Sequence, residues 1–137
     1  MKDLCAKQFT PKPSTYLQDY WIREKAPGTL ATPRPGKWII FVPRDVVDVW
    51  WDRIRHQVAR GRLGPAAKTS TALRNPLATG PDHVIIVYTV DGDDYGDVMR
   101  VRHELRRLGV DWKINYKEDV ATRRGQYGNQ ELHRYSG

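Results

Sequence analysis

The strongest pattern in the chain is His83 to Val90 (HVIIVYTV), a continuous apolar run rich in β-branched residues that predicts a central β-strand. A second run, Lys37 to Val42 (KWIIFV), lies between Gly36 and Pro43 and predicts another buried strand. Between the two, Val47, Trp50, Ile54 and Val58 recur at three- and four-residue spacing, from Asp45 as a candidate N-cap to a stop at Gly61, which predicts an amphipathic helix. Ala67 to Leu73 alternates, with Ala67, Thr69, Thr71 and Leu73 on one face and Lys68, Ser70 and Ala72 on the other; Arg74-Asn75-Pro76 ends this half-buried strand. After an acidic turn at Asp91 to Asp94, Val98, Val101, Leu105 and Leu108 mark a second helix that stops at Gly109. Val110 to Lys117 alternates again, setting Val110, Trp112, Ile114 and Tyr116 against Asp111, Lys113, Asn115 and Lys117.

Elsewhere the periodicity fades. Pro11, Pro13, Pro27, Pro33 and Pro35 disfavour helix across the first 36 residues, so residues 1–36 read as a Pro-rich arm whose Tyr16, Leu17, Tyr20, Trp21 and Ile22 dock on the body. Residues 37–125 form an α/β (α+β) domain, and residues 126–137 a polar C-terminal tail. A length of 137 residues suits a single domain with its own core, and no internal repeat is present.

Charge narrows the function classes. The formal net charge of +7 favours polyanionic partners, RNA or a phosphate-bearing nucleotide, because each neutralised phosphate releases counterions. From Trp51 to Arg74 the chain carries Arg53, Arg55, Arg60, Arg62, Lys68 and Arg74 against the single acid Asp52. The lone Cys5 and the lack of Cys or His pairs at zinc spacing predict neither a disulfide nor a metal, and no cofactor motif is present. No run is apolar enough to cross a membrane, so the expected setting is cytoplasmic.

The candidate chemistry follows from parity. Lys113 and Lys117 project from one side of their strand, and Lys68 and Ser70 sit on the polar parity of theirs; separated cations on a sheet face need either solvent or an anion. Arg74, Arg123 and Arg124 add guanidinium groups in loops, where bidentate phosphate contacts are accessible to arginine and not to lysine. Solvated faces are the competing reading for all of these, as for Arg53, His56 and Arg60 on the first helix and Arg100, His103 and Arg107 on the second. Trp38, Trp50 and Trp112 fall on apolar parities and read as core, which leaves Trp21, Trp51 and Tyr127 as candidates for stacking on a base. No Walker loop, GxSxG elbow or paired carboxylates are spelled out; Lys68 as a base and His83 as an acid or base are the catalytic candidates of an alternative, enzymatic reading. A third reading is a protein-interaction adaptor built on the arm and helix faces.

The runs PGKWIIFVPRDVVDVWWDRI, GRLGPAAKTSTALRNPLATG, HVIIVYTVDGDDYGDVMRVRHELRRLGV and WKINYKEDVATRRG together resemble the family named after a basophilic leukaemia expressed protein. That family is grouped with the fold of the 4E-type cap-binding translation initiation factor. The resemblance implies a curved antiparallel sheet with helices on its convex back, and a concave side toward which Lys68, Ser70, Lys113 and Lys117 point. It does not imply cap recognition. The loop APGTLATPRP has no aromatic residue where the cap-binding factor places a stacking tryptophan, Val87 stands where a further tryptophan contacts the methyl group, and Ser70 lies near the position of a phosphate-binding arginine, with Lys68 and Arg74 beside it. Bacterial relatives labelled phosphothreonine lyases use a lysine base and a histidine acid, for which Lys68 and His83 are the counterparts that similarity implies.

Overall fold

The computed structural model describes residues 11–28, 35–76, 80–118 and 133–137. Six strands form a single antiparallel sheet: β1 (Trp21–Lys25), β2 (Gly36–Val42), β3 (Ala66–Ser70), β4 (His83–Thr89), β5 (Asn115–Glu118) and β6 (His133–Ser136), in the order β1-β3-β4-β2-β5-β6. Two helices accompany it, α1 (Arg44–Ala59) and α2 (Tyr95–Leu108). The sheet is α+β in organisation, as the hydrophobic pattern predicts, and β4 and β2, the two most apolar runs, lie at its centre.

Every central strand divides its residues between two faces. Trp38, Ile40 and Val42 of β2, Ala67 of β3, Ile85 and Val87 of β4 and Ile114 and Tyr116 around β5 are buried with Val47, Trp51, Ile54 and Val58 of α1 and Val98, Val101 and Leu105 of α2. The Trp38 indole, buried in this core, donates to the Val98 main-chain oxygen at 3.0 Å and so fixes β2 against the start of α2. The alternate residues of the same strands face away from both helices.

Local signals set the helix ends. Asp94 caps α2, its side chain accepting from the Asp97 N–H at 3.1 Å, and Gly109 closes it in the left-handed region with φ 114°. The first residue of α1 is Arg44, directly after Pro43; Asp45, expected as the cap, lies one residue inside, where a carboxylate still complements the helix dipole.

Three differences from the sequence pattern bear on function. Strands β1 and β6 form in segments that read as arm and tail, because as peripheral strands they need only backbone partners, β3 and β5, and little apolar periodicity. The buried stripe of α1 runs Val47, Trp51, Ile54, Val58, so Trp51 and not Trp50 enters the core; both choices satisfy helical spacing, and the tertiary packing decides between them. Trp112, expected in the core, lies before β5 in a turn and is 36% exposed.

Candidate functional site

The strand register arranges the helix-free face into rows. Arg23, Lys68, Ile86, Ile39 and Asn115 follow one another across β1, β3, β4, β2 and β5. A second row runs Tyr88, Lys37, Lys117, and Phe41 stands opposite Val84 in a third. The floor is therefore apolar (Ile39, Phe41, Val84, Ile86), with Arg23, Lys25 and Lys68 toward one edge and Lys37, Lys113 and Lys117 toward the other. Among the described residues, no strand position of this parity carries a carboxylate.

Lys37 and Lys117 are direct cross-strand partners, and both are half-buried. Burial, and then the neighbouring Lys37 ammonium, hold the Lys117 amine below its ordinary range. Two like charges placed opposite each other and partly removed from water favour an anion between or above them. Lys37 was not legible as a site residue, since it reads as the first position of an apolar strand; only the register shows its partner.

Lys113 and Lys117 line a cleft of about 500 Å³ together with Ile39, Phe41, Trp112 and Asn115. Lys68 is on the same face, its Nζ 4.1 Å from the centre of the Trp21 ring in a cation–π contact. Three strand spacings, roughly 14 Å, separate the strand of Lys68 from that of Lys117. The two cationic edges are thus separated by the width of the apolar floor.

Ser70 shares the parity of Lys68 at the end of β3, and the remaining expected residues fall elsewhere. Ser70 Oγ accepts from the Val84 N–H at 2.9 Å, and Arg74 donates to the Gly80 main-chain oxygen at 3.0 Å, bracing the loop that leaves β3. His83 is 2% exposed and on the helix-side parity with Ile85 and Val87. Its Nδ1 lies 3.2 Å from the Ser70 main-chain oxygen, and its Nε2 accepts from Arg44 Nε at 3.2 Å, a pattern that suits the neutral Nδ1–H tautomer. Burial, with a smaller contribution from the Arg44 guanidinium, pushes its pKa down. It is a strand-end brace, three positions along β4 from Ile86, the partner of Lys68, and so on the opposite parity. Arg123, Arg124 and Tyr127 lie outside the described residues. Trp51, 1% exposed, is core and does not stack on a ligand.

The helix arginines behave as solvated faces do. Arg55 pairs with Asp52 at 2.8 Å, Arg100 with Asp97 at 3.0 Å and Arg107 with Glu104 at 3.0 Å, each three residues apart on its own helix. Arg102 is different. Fully buried, it donates to the main-chain oxygens of Val110 (2.8 Å), Trp112 (2.6 Å) and Gly137 (2.9 Å), and burial lowers its pKa. It fixes the turn that carries Trp112 and Lys113 into β5.

A family model described as basophilic leukemia-expressed protein Bles03 matches residues 22–124, most of the chain. The chain belongs to the Bles03 family. Two solved structures of schistosome eIF4E, one complexed with m7GpppA and 4E-BP and the other with m7GpppG and 4E-BP, resemble this Bles03-family chain in fold, each with a TM-score of 0.56. Identity is 15% to the first and 16% to the second; the matches cover 75% of this chain and 58% of each eIF4E chain. The Bles03-family chain therefore spans less than two thirds of those proteins. Val87 is fully buried and packs in the core with the helices. The described residues contain no helix long and apolar enough to cross a membrane and no cluster suited to a metal ion.

Proposed function

We propose that the helix-free face is a binding surface for the phosphates of RNA or of a nucleotide, with Lys68 at one edge and Lys37, Lys113 and Lys117 at the other as its anchors. The observation that carries this reading is the register: an apolar floor flanked by cations, with no carboxylate, among the described residues, at the strand positions of that face. The Lys37–Lys117 pair supports it, since burial and then the neighbouring Lys37 ammonium lower the Lys117 pKa, and an anion would offset both. Arg23 and Lys25 extend the field along β1, and Arg74, Arg123 and Arg124 belong to the same reading as further cationic anchors. The eIF4E neighbours, complexed with capped nucleotides, are consistent with a nucleotide partner for this fold. Binding, rather than proton transfer, is favoured by His83, whose two ring nitrogens are engaged in structural contacts. The same reading takes the cytoplasm as the protein's setting.

The test is a fluorescence-anisotropy titration of a labelled octa-adenylate RNA at salt concentrations between 50 and 200 mM. The affinity is expected to fall with salt, and the Lys68→Ser/Lys117→Ser variant to bind more weakly with a slope reduced by about 0.7 for each lost phosphate contact. An affinity indifferent to salt, or unchanged in the double variant, would overturn the phosphate-anchor function.

A further inference from the structure

Phe41 and Trp112 are exposed aromatic side chains that meet in one place. Phe41, 59% exposed, projects from the last turn of alternation in β2, on the open face. Trp112, 36% exposed, lies in the turn before β5, and both line the same cleft of about 500 Å³. Phe41 contributes nothing to the core, which β2 supplies with Trp38, Ile40 and Val42. An aromatic ring left in water at this position gains nothing for stability and offers a flat surface to a ligand.

Trp112 is also held in place. Its indole meets the edge of Trp50 at a centroid distance of 5.5 Å and an interplanar angle of 82°, and its main-chain oxygen accepts from the buried Arg102 at 2.6 Å. The platform is thus oriented before any ligand arrives, which lowers the entropy lost on binding. Around it stand Lys113 and Lys117 for phosphate, and Asn115, whose amide both donates and accepts.

We infer that this cleft takes a nucleobase of a single-stranded RNA, stacked against Phe41 and Trp112, while the phosphates of the same strand run over Lys113 and Lys117 toward Lys68. This rests on the phosphate-binding reading above and names what that reading leaves open: a base site, and a ligand long enough to reach both edges. The separation of roughly 14 Å between the Lys68 and Lys117 strands selects an oligonucleotide over a mononucleotide. The surface suits strands of any sequence, since every base offers a π-face. Trp21, one of the residues expected to stack, has one ring face occupied by Lys68.

The experiment compares three probes on the intact protein: labelled octa-adenylate RNA, an abasic octamer with the same phosphates, and inorganic tripolyphosphate. RNA is expected to bind about tenfold more tightly than the abasic octamer, and Phe41→Ser or Trp112→Ala to remove that advantage while leaving the salt slope and abasic affinity unchanged. Phe41→Trp should retain it. Both single variants are needed, because Trp112→Ala also loosens Trp50, whereas Phe41 has no place in the core. Equal, salt-dependent affinity for RNA and the abasic octamer would overturn the base site and leave phosphate binding standing; tight binding of tripolyphosphate alone would do the same for the oligonucleotide. Absence of binding by all three would overturn both readings.

Discussion

The two faces of the sheet are made from the same strands, and they obey different rules. On the helix side, Trp38, Ile40, Ile85, Val87 and Tyr116 are fully buried and interlock with both helices. One residue further along each strand, Lys37, Ile39, Phe41, Ile86 and Lys117 look the other way. Packing dictates the first set, since a cavity or an unpaired polar group there costs stability directly. It does not explain lysines facing each other across β2 and β5, or a phenylalanine left in water. The proposed function therefore lies on the parity that stability does not need.

Substitutions on the two faces sharpen that contrast. Trp38→Ala should cost about 3–5 kcal/mol, enough to threaten folding, because it removes a fully buried indole and its hydrogen bond to Val98; denaturant unfolding measures it. A smaller effect comes from pH. His83 has its folded-state pKa lowered from 6.5, so the unfolded chain binds more protons below that value. Its contribution is complete above about pH 6.5 and is lost as pH falls through the lower folded-state value, by at most about 1.4 kcal/mol per pH unit. The melting temperature should decline from pH 7.5 to 5, and His83→Gln should flatten that decline; an identical pH profile in the variant would contradict the brace. Smallest of all is the effect of Lys37→Ser/Lys117→Ser on unfolding, within about 0.5 kcal/mol and toward greater stability, since a desolvated pair of like charges is removed. A large loss of stability there would break the division between the faces.

Much of this was legible in the sequence, and the failures have physical causes. Strands β2 and β4 and both helices stand out because their apolar spacing is strong. KWIIFV and HVIIVYT, however, are apolar on both parities, so the sequence marks them as central without revealing which side chains line an open surface. Phe41 and Lys37 disappear into that uniform run. Lys68 and Lys117 were visible because their strands alternate, and Lys113 because the sequence alternation runs on through the segment before β5. Trp50 and Trp51 are adjacent on a helix, and either completes the stripe; the choice rests on tertiary packing. Trp112 continues an alternation that the backbone abandons before β5, where Arg102 captures the main-chain oxygens of Val110 and Trp112. Strand β1 was hidden because WIREK, at the sheet edge, has few apolar residues to signal it.

The basic residues on the helices are the natural rivals of the sheet face for an anionic partner, and they carry carboxylates beside them. An amide-resolved NMR titration with octa-adenylate RNA separates the two most directly. The largest shifts are expected on Lys37, Ile39, Phe41, Lys68, Asn115 and Lys117, with Arg53, His56, Arg60, Arg100, His103 and Arg107 unmoved. Shifts confined to the helix residues, with the sheet face silent, would contradict the proposed function.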